Sequence, residues 1–178
     1  RETIPVTGAG AGQAADEAEM KQPAPAEQEQ VSEGVQWAID LAVAAYLEAQ
    51  HHLTLDEADG ATEALKELRG LMFPLGKAGG EVSAQAGIIA EALAGVPTEL
   101  EAQRAAFGTV SDAMLAMLAV APPTETGEAK LFDAYCPMVD QHWLQAGEDI
   151  RNPYDPGMLE CGNIEDEIKP LAPAGGQR

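Results

Sequence analysis

The chain has 178 residues, enough for one compact domain with tails but too few for a second core. Apolar residues make up 46% of the sequence and aromatic residues only 4%, a composition that favours closely packed helices and predicts an all-α fold. Thirty acidic side chains against ten Lys and Arg give a formal charge of -20, which argues against nucleic acid and anionic lipid surfaces as partners. The chain has no apolar run long enough to span a bilayer, so direct membrane insertion is not expected.

Both ends of the chain have the composition of unstructured segments. Residues 1–30 are mostly Gly, Ala, Pro, Glu and Gln with few large apolar side chains, and residues 169–178 carry two Pro and two Gly. Such segments bury too little surface to offset the loss of chain entropy. We therefore expect a flexible linker over 1–30, a disordered tail over 169–178, and a folded helical domain over 31–168.

The first two predicted helices differ in their start signals. The first begins at the N-cap Ser32 and runs to about His52, because five apolar residues recur at helical spacing: Val35, Ile39, Val43, Tyr46 and Leu47. The second begins at a capping box formed by Thr54 and Glu57, in which side chains satisfy the first backbone donors. Its apolar face holds Leu65, Leu68 and Met72. The Gly and Pro residues from Gly70 onward predict a loop after it.

The next two predicted helices complete a bundle. The third has Val82, Ala86, Ile89 and Leu93 on one face and ends near Gly95. The fourth begins at a second capping box, Thr98 with Glu101, and ends before Pro122. Four amphipathic helices joined by short turns predict an antiparallel four-helix bundle with up-down-up-down topology.

The segment that follows has a different character. Residues 131–168 hold both Cys residues, the second Trp, two of the three Tyr and three Pro at irregular spacing. This composition predicts a loop-rich segment of short helical turns that packs on the bundle. Its expected anchors are the large apolar side chains Leu131, Phe132, Trp143, Leu144, Ile150 and Tyr154.

Four soft sulfur side chains stand in two pairs within residues 131–164. Cys136 and Met138 flank a proline, and Met158 and Cys161 form the second pair. Thiolate and thioether groups select Cu(I) and related soft ions, and four of them suffice for a closed site. His142 follows Met138 closely and is a fifth candidate ligand. The sequence therefore predicts a copper-type metal site.

Two other states of the cysteines remain open. A disulfide between Cys136 and Cys161 would form in an oxidising compartment and would staple a segment that has little core of its own, and the thiols could also be inert. Cys136 with His142 could in principle form a catalytic thiolate pair, but no orienting partner or oxyanion donor is evident. Because the known nucleophile, phosphate-binding and metalloprotease motifs are also missing, the protein is not expected to be an enzyme.

The other Met and His residues are assigned structural roles. Met114 and Met117 fall within the apolar stripe of the fourth helix, where methionine usually fills core space. His51 and His52 close the first helix, where a positive charge interacts favourably with the helix dipole. None of the four is included among the candidate ligands.

Four strings in the C-terminal region carry a resemblance to a known family: Tyr135-Cys-Pro-Met138, Trp143-Leu-Gln145, Glu148-Asp-Ile-Arg-Asn-Pro-Tyr154 and Met158-Leu-Glu-Cys-Gly162. The chain resembles an uncharacterised bacterial helical domain family that occurs alone or at the C-terminus of periplasmic adaptor (membrane fusion) subunits of heavy-metal efflux systems. The resemblance is close over residues 131–162 and loose over the helical region. This chain departs from it in a shorter link between Met138 and Trp143 and in Asp155-Pro156, where relatives tend to carry an aromatic residue and glycine.

The resemblance implies a location and a function. It implies a periplasmic or cell-envelope protein that binds copper or silver ions on their way to export, with efflux-pump components as partners. The positions that match the family's motif are Cys136, Met138, Met158 and Cys161. The β-barrel and hairpin domains of an adaptor are absent from this sequence, so residues 1–30 are a candidate tether to such a body.

Overall fold

The computed structural model describes residues 29–124 and 129–171. In chain order they form α1 (Glu33–Thr54), α2 (Ala58–Leu75), α3 (Gly80–Ala92), α4 (Leu100–Val120), β1 (Leu131–Cys136), β2 (Gln141–Ala146), the 3-10 turn η1 (Pro156–Met158) and β3 (Asn163–Ile168). The strands form one antiparallel sheet with the order β2-β1-β3. The predicted all-α fold is therefore wrong: the four helices are present, but the fold is mixed α and β.

Helix α1 begins where the sequence predicts it. Ser32 is its N-cap, and the Ser32 hydroxyl accepts a hydrogen bond from the N–H of Val35 at 3.3 Å. The helix ends at Thr54, whose hydroxyl donates to the carbonyl of His51 at 2.6 Å. His51 and His52 lie in the last turn, as predicted.

Neither predicted capping box forms in the described residues. Glu57 and Glu99 are the N-caps of α2 and α4, and neither makes a side-chain capping hydrogen bond. Thr54 belongs to α1, and the Glu57 carboxylate is engaged by His52 Nδ1 at 2.7 Å. The loop predicted from Gly70 onward begins later, because α2 continues to Leu75. Pro74 stands only one residue before the end of the helix, so it removes a single backbone hydrogen bond.

Consecutive helices pack against one another around the main core. Met114 and Met117 of α4 are fully buried there, which confirms their assignment as core residues. Gln103 of α4 ties the helix starts together, since its amide donates to the Ala58 carbonyl at 2.9 Å and to the Thr62 hydroxyl at 2.8 Å. Other fully buried side chains of this core are Ile39, Tyr46, Leu53, Leu65, Leu68, Leu75, Ile89, Leu93 and Phe107.

The sheet occupies the segment that was predicted to be loop-rich with helical turns. Strand β1 is central and pairs with β2 from Leu131 opposite Ala146 to Cys136 opposite Gln141. Burial along β1 alternates after its first residue, the period of two that a strand imposes. The apolar residues of this segment fit no helical period, because in a strand it is alternate residues that face the same side.

A buried chain of hydroxyl groups joins β2 to the helices. The Leu144 N–H donates to Tyr46 Oη at 3.2 Å, Tyr46 Oη lies 2.6 Å from Ser111 Oγ, Ser111 Oγ lies 2.9 Å from Tyr154 Oη, and Tyr154 donates to the His142 carbonyl at 2.6 Å. Tyr154 directs its single hydroxyl proton toward both the Ser111 hydroxyl and the His142 carbonyl, and either member of the Tyr46–Ser111 pair can be the donor. These contacts satisfy outward backbone groups of an edge strand. We call this arrangement the hydroxyl chain.

The predicted anchors of the C-terminal segment are confirmed. Leu131, Phe132, Trp143 and Leu144 are buried, and Ile150 and Tyr154 pack partly buried against the cores. Trp143 belongs to a second, smaller core with Ala134 and Cys136. None of the helices within 29–124 and 129–171 combines the length and the apolar character that a bilayer crossing requires.

Most of the predicted linker and tail lies outside the described residues, which leave out 1–28, 125–128 and 172–178. The residues at their inner edges contact the fold. The Glu29 N–H donates to the Val120 carbonyl at 2.8 Å, and the Leu171 N–H donates to the Pro123 carbonyl at 2.8 Å. The Glu29 carboxylate also accepts from the N–H of Glu81 at 3.1 Å, at the start of α3.

Candidate metal and thiol site

The two cysteines meet at one end of the sheet. Cys136 is the last residue of β1, and Cys161 lies two residues before β3. The antiparallel register places Asn163 opposite Tyr135, so continuing it past Cys136 brings the chain around Cys161 back to the end of β1. The two thiols lie close enough that each shifts the pKa of the other, and neither is part of a disulfide.

The turn between β1 and β2 wraps around the Cys136 sulfur. The backbone N–H groups of Met138 and Val139 lie near Cys136 Sγ and help to lower the pKa of that thiol, and the Met138 backbone acts in the same direction on the Cys161 thiol. The turn closes at Asp140, which has a φ of 53° and accepts the Tyr135 hydroxyl at 2.7 Å. Asp is one of the few residues other than Gly that adopt this conformation readily. The turn thus supplies fixed positive dipoles to the sulfur pair.

A second loop holds Cys161 in place through Asn152. The Asn152 side chain is fully buried; its Nδ2 donates to the Cys161 carbonyl at 3.1 Å, and its Oδ1 accepts from the Tyr154 N–H at 2.8 Å. The same side chain lies near the Cys136 thiol and helps to lower its pKa. The Cys161 N–H donates to the Met158 carbonyl at 2.9 Å, which continues the turn that begins at η1. Asn152 therefore connects both cysteines.

Gly162 allows the chain to pass under the small core. Its φ is 147°, and a Cβ at this position would lie 2.7 Å from Cη2 of Trp143 and 3.1 Å from the Tyr135 carbonyl oxygen. A side chain would thus be strained both by the backbone conformation and by contact. This close approach keeps Cys161 next to the sheet.

The environments of the two thiols push their pKa values apart. Burial by itself would raise the pKa of Cys136, but hydrogen bonds from the Cys161 thiol, from the N–H groups of Val139 and Met138 and from the Asn152 amide outweigh it, so the pKa is lowered from its ordinary value. The pKa of Cys161 is raised, chiefly by its hydrogen bond to Cys136 and then by burial. Cys136 is therefore the group that ionises first.

The remaining predicted ligands lie in different settings. The Met138 side chain is 72% exposed, beside the turn that wraps Cys136, and Met158 is half-buried at the end of η1. His142 pairs across the strands with Tyr135, so strand alternation turns it to the opposite face from Cys136. Its Nδ1 lies 2.8 Å from Asp133 Oδ1. The structure thus brings the cysteines together and separates His142 from them.

His142 and Asp133 form their own contact on the far face of the sheet. Burial raises the pKa of Asp133, while the hydrogen bond and the charge of His142 act in the opposite direction and only partly offset it. The thiolate–imidazolium pair considered from the sequence does not form, because its two members are on opposite faces of the sheet.

Within the described residues, no group of three or more His, Cys, Asp and Glu side chains converges so as to hold a metal ion. Among these four residue types, only the two cysteines would therefore be ligands of a metal at the thiol pair. A methionine sulfur would be the additional soft donor.

Comparison with protein-family models, with curated proteins and with solved structures finds no match to this chain.

The site includes two residues that the sequence reasoning left out. Asn152 precedes Pro153, a pair that is typical of turns, and nothing in that pair distinguishes a turn from a buried amide that bonds to the Cys161 backbone and lies near Cys136. A glycine such as Gly162 ordinarily indicates only a tight turn. Its position directly after Cys161 is the one available signal that the chain passes close to another element there.

Proposed function

We propose that this protein binds a soft monovalent metal ion, Cu(I) or Ag(I), with the sulfurs of Cys136 and Cys161 as its principal ligands. The observation that carries the proposal is the placement of the two thiols close together at the Pro137–Asp140 turn, where the N–H groups of Met138 and Val139 lie near the Cys136 sulfur. We assign it the role of a periplasmic or cell-envelope accessory domain in copper homeostasis or heavy-metal efflux. The family resemblance of residues 131–162 supports this part of the proposal.

The hydrogen bonds around the sulfurs favour a metal thiolate over an unreactive thiol. A thiolate carries a full negative charge, so N–H donors from Met138 and Val139 stabilise it. In metal sites such outer hydrogen bonds orient the ligand and tune its basicity. A disulfide sulfur carries little charge and would gain much less from the same donors.

Exposure at the site permits metal exchange. Cys136 is fully buried, whereas Cys161 is partly exposed and the Met138 side chain reaches solvent. A metal ion approaching from solvent would therefore meet the thioether of Met138 and the Cys161 sulfur before Cys136. Thioether ligands bind soft ions while remaining uncharged, which suits them to this outer position.

An anaerobic titration of the reduced protein with Cu(I), against a chromophoric Cu(I) chelator, tests the proposal. We expect one ion per chain, and affinity losses of at least about 100-fold for Cys136→Ser and for Cys161→Ser. Met117→Leu, which removes a buried core sulfur, and His142→Asn, on the opposite sheet face, are the matched controls and should leave the affinity unchanged. Equal affinity of the wild type and both serine variants would reject the metal site.

A structural disulfide is the second candidate function for the same pair. It is favoured by the closeness of the two thiols, which lie near enough to shift each other's pKa. The protein would then be a scaffold or interaction domain that is stapled at its C-terminal segment. Thiol counting on the native protein separates the two: no free thiol, together with a large fall in melting temperature on reduction and no Cu(I) affinity, selects the disulfide.

A further inference from the structure

A groove between α2 and α3 lies apart from the thiol pair. It has a volume of about 630 Å³, and its lining runs from Lys66 along α2 to Lys77, two residues past the end of that helix, and along α3 from Ala86 to Ala90. At a rise of about 1.5 Å per residue, the α2 side is roughly 16 Å long, which matches three turns of a helix. We call it the α2–α3 groove.

The surface of the groove is apolar and leaves backbone accessible. Phe73 is 72% exposed at its side, and Met72 and Ala86 are buried beneath. A Cβ added at Gly70 or at Gly87 would meet no atom within 4 Å. Small residues on facing helices let another backbone approach closely, so the groove suits a helix more than an extended chain.

The charge of the groove is opposite to that of the protein. Lys66, Arg69 and Lys77 line it, which is three of the seven Lys and Arg in the described residues, and no acidic side chain lines it. Lys77 Nζ lies 4.0 Å above the Phe73 ring, and Lys66 is bound to Glu63 at 2.8 Å. In a chain with a formal charge of -20, this grouping is a local concentration of positively charged side chains.

We propose that the α2–α3 groove binds an acidic amphipathic helix of a partner protein. The apolar face of such a helix would cover Phe73 and Met72, and its carboxylates would meet Lys66, Arg69 and Lys77 along the rim. A helix of about three turns stays within the basic area, whereas a longer polyanion such as a nucleic acid would extend over the acidic surface and be repelled. The proposal does not depend on metal binding.

The test uses a fluorescent synthetic peptide of about 16 residues with a leucine face and a glutamate face, titrated with the full chain. We expect binding to be weakened about tenfold or more by the triple variant Lys66→Glu, Arg69→Glu, Lys77→Glu, and by Gly87→Leu, which fills the groove. The control for the triple variant is Lys130→Glu, Arg151→Glu, Lys169→Glu, which has the same net charge and leaves the groove intact. The control for Gly87→Leu is Gly34→Leu, which adds the same side chain at an open position of α1. Both controls should bind like the wild type.

Three results would overturn the proposal. One is equal affinity of the groove triple variant and its charge-matched control. Another is self-association of the wild type in sedimentation that Gly87→Leu abolishes, which would assign the groove to a second copy of this chain. The third is peptide binding that becomes measurable only when Asp16, Glu17 and Glu19 are neutralised, which would assign the groove to the chain's own N-terminal segment.

Discussion

Replacing Ser111 with Ala should destabilise the protein by far more than the loss of one small hydroxyl suggests. Ser111 is the middle member of the hydroxyl chain and is fully buried, and its removal leaves the Tyr46 O–H without an acceptor in a site with no exposure. An orphaned buried donor costs about 1–3 kcal/mol, and the lost Ser111–Tyr154 bond costs about 1 kcal/mol more. We expect a loss of about 2–4 kcal/mol in the free energy of unfolding.

Urea denaturation followed by the fluorescence of buried Trp143 measures this loss. Ser83→Ala, which removes a hydroxyl bonded to the Gly76 carbonyl at the surface, is the matched control and should lose about 0.5 kcal/mol. The double variant Ser111→Ala, Tyr46→Phe should lose less than the sum of its single variants, because Phe removes the orphaned donor. Additive losses, or a Ser111→Ala loss no larger than that of the control, would refute the hydroxyl chain.

Two further predictions concern the thiol pair. In the reduced, metal-free protein, ultraviolet titration of thiolate absorbance should show two steps, Cys136 below and Cys161 above the ordinary thiol pKa, and Cys161→Ala should move the first step upward. By linkage, the lowered pKa of Cys136 adds folding stability at pH values above its unfolded pKa, and this stability is lost as pH falls through its folded pKa. The raised pKa of Cys161 adds stability at lower pH, which is lost as pH rises through its folded pKa. A single unresolved step would contradict the coupling. Gly162→Ala should lower the free energy of unfolding by about 1–3 kcal/mol and weaken Cu(I) binding, because the new methyl group displaces Trp143. The control Gly34→Ala, at an open position of α1, should not lower the free energy of unfolding and should leave Cu(I) binding unchanged in the same two assays. Equal losses in the two variants would contradict the close approach of Gly162 to Trp143.

The helices could be predicted because their signals are local. Apolar periodicity and the Ser32 cap locate α1 to within two residues at its end, and the same period identifies the other three helices. The capping boxes failed for a tertiary reason: His52 takes the carboxylate of Glu57, and Thr54 is drawn into the end of α1. A sequence pattern four residues long carries no information about such competing partners.

The sheet could not be predicted from the same reasoning. Each strand has only six residues, and β3, Asn163–Ile168, carries three acidic side chains and little burial, so its apolar alternation is weak. What fixes β3 is its pairing with the central strand β1 and the turn around Cys136. Pairing between segments that are distant in sequence is not encoded in the composition of either one.

The candidate site was predictable in part. The two cysteines were identified as a potential pair because their chemistry is selective, and they do come together. His142 was included because it is close in sequence, but in a strand neighbouring positions face opposite sides, so sequence proximity was misleading once the segment proved to be a sheet. Asn152 was left out because its contacts to both cysteines depend on the folded loop.

X-ray absorption at the copper edge of the Cu(I)-loaded, reduced protein tests the central claim most directly. We expect a coordination shell dominated by sulfur, with sulfur from Cys136 and Cys161, and a marked loss of sulfur scattering in the Cys136→Ser variant. A shell of nitrogen and oxygen ligands, or a spectrum that is the same in the wild type and in Cys136→Ser, would contradict the assignment of this pair as a soft-metal site.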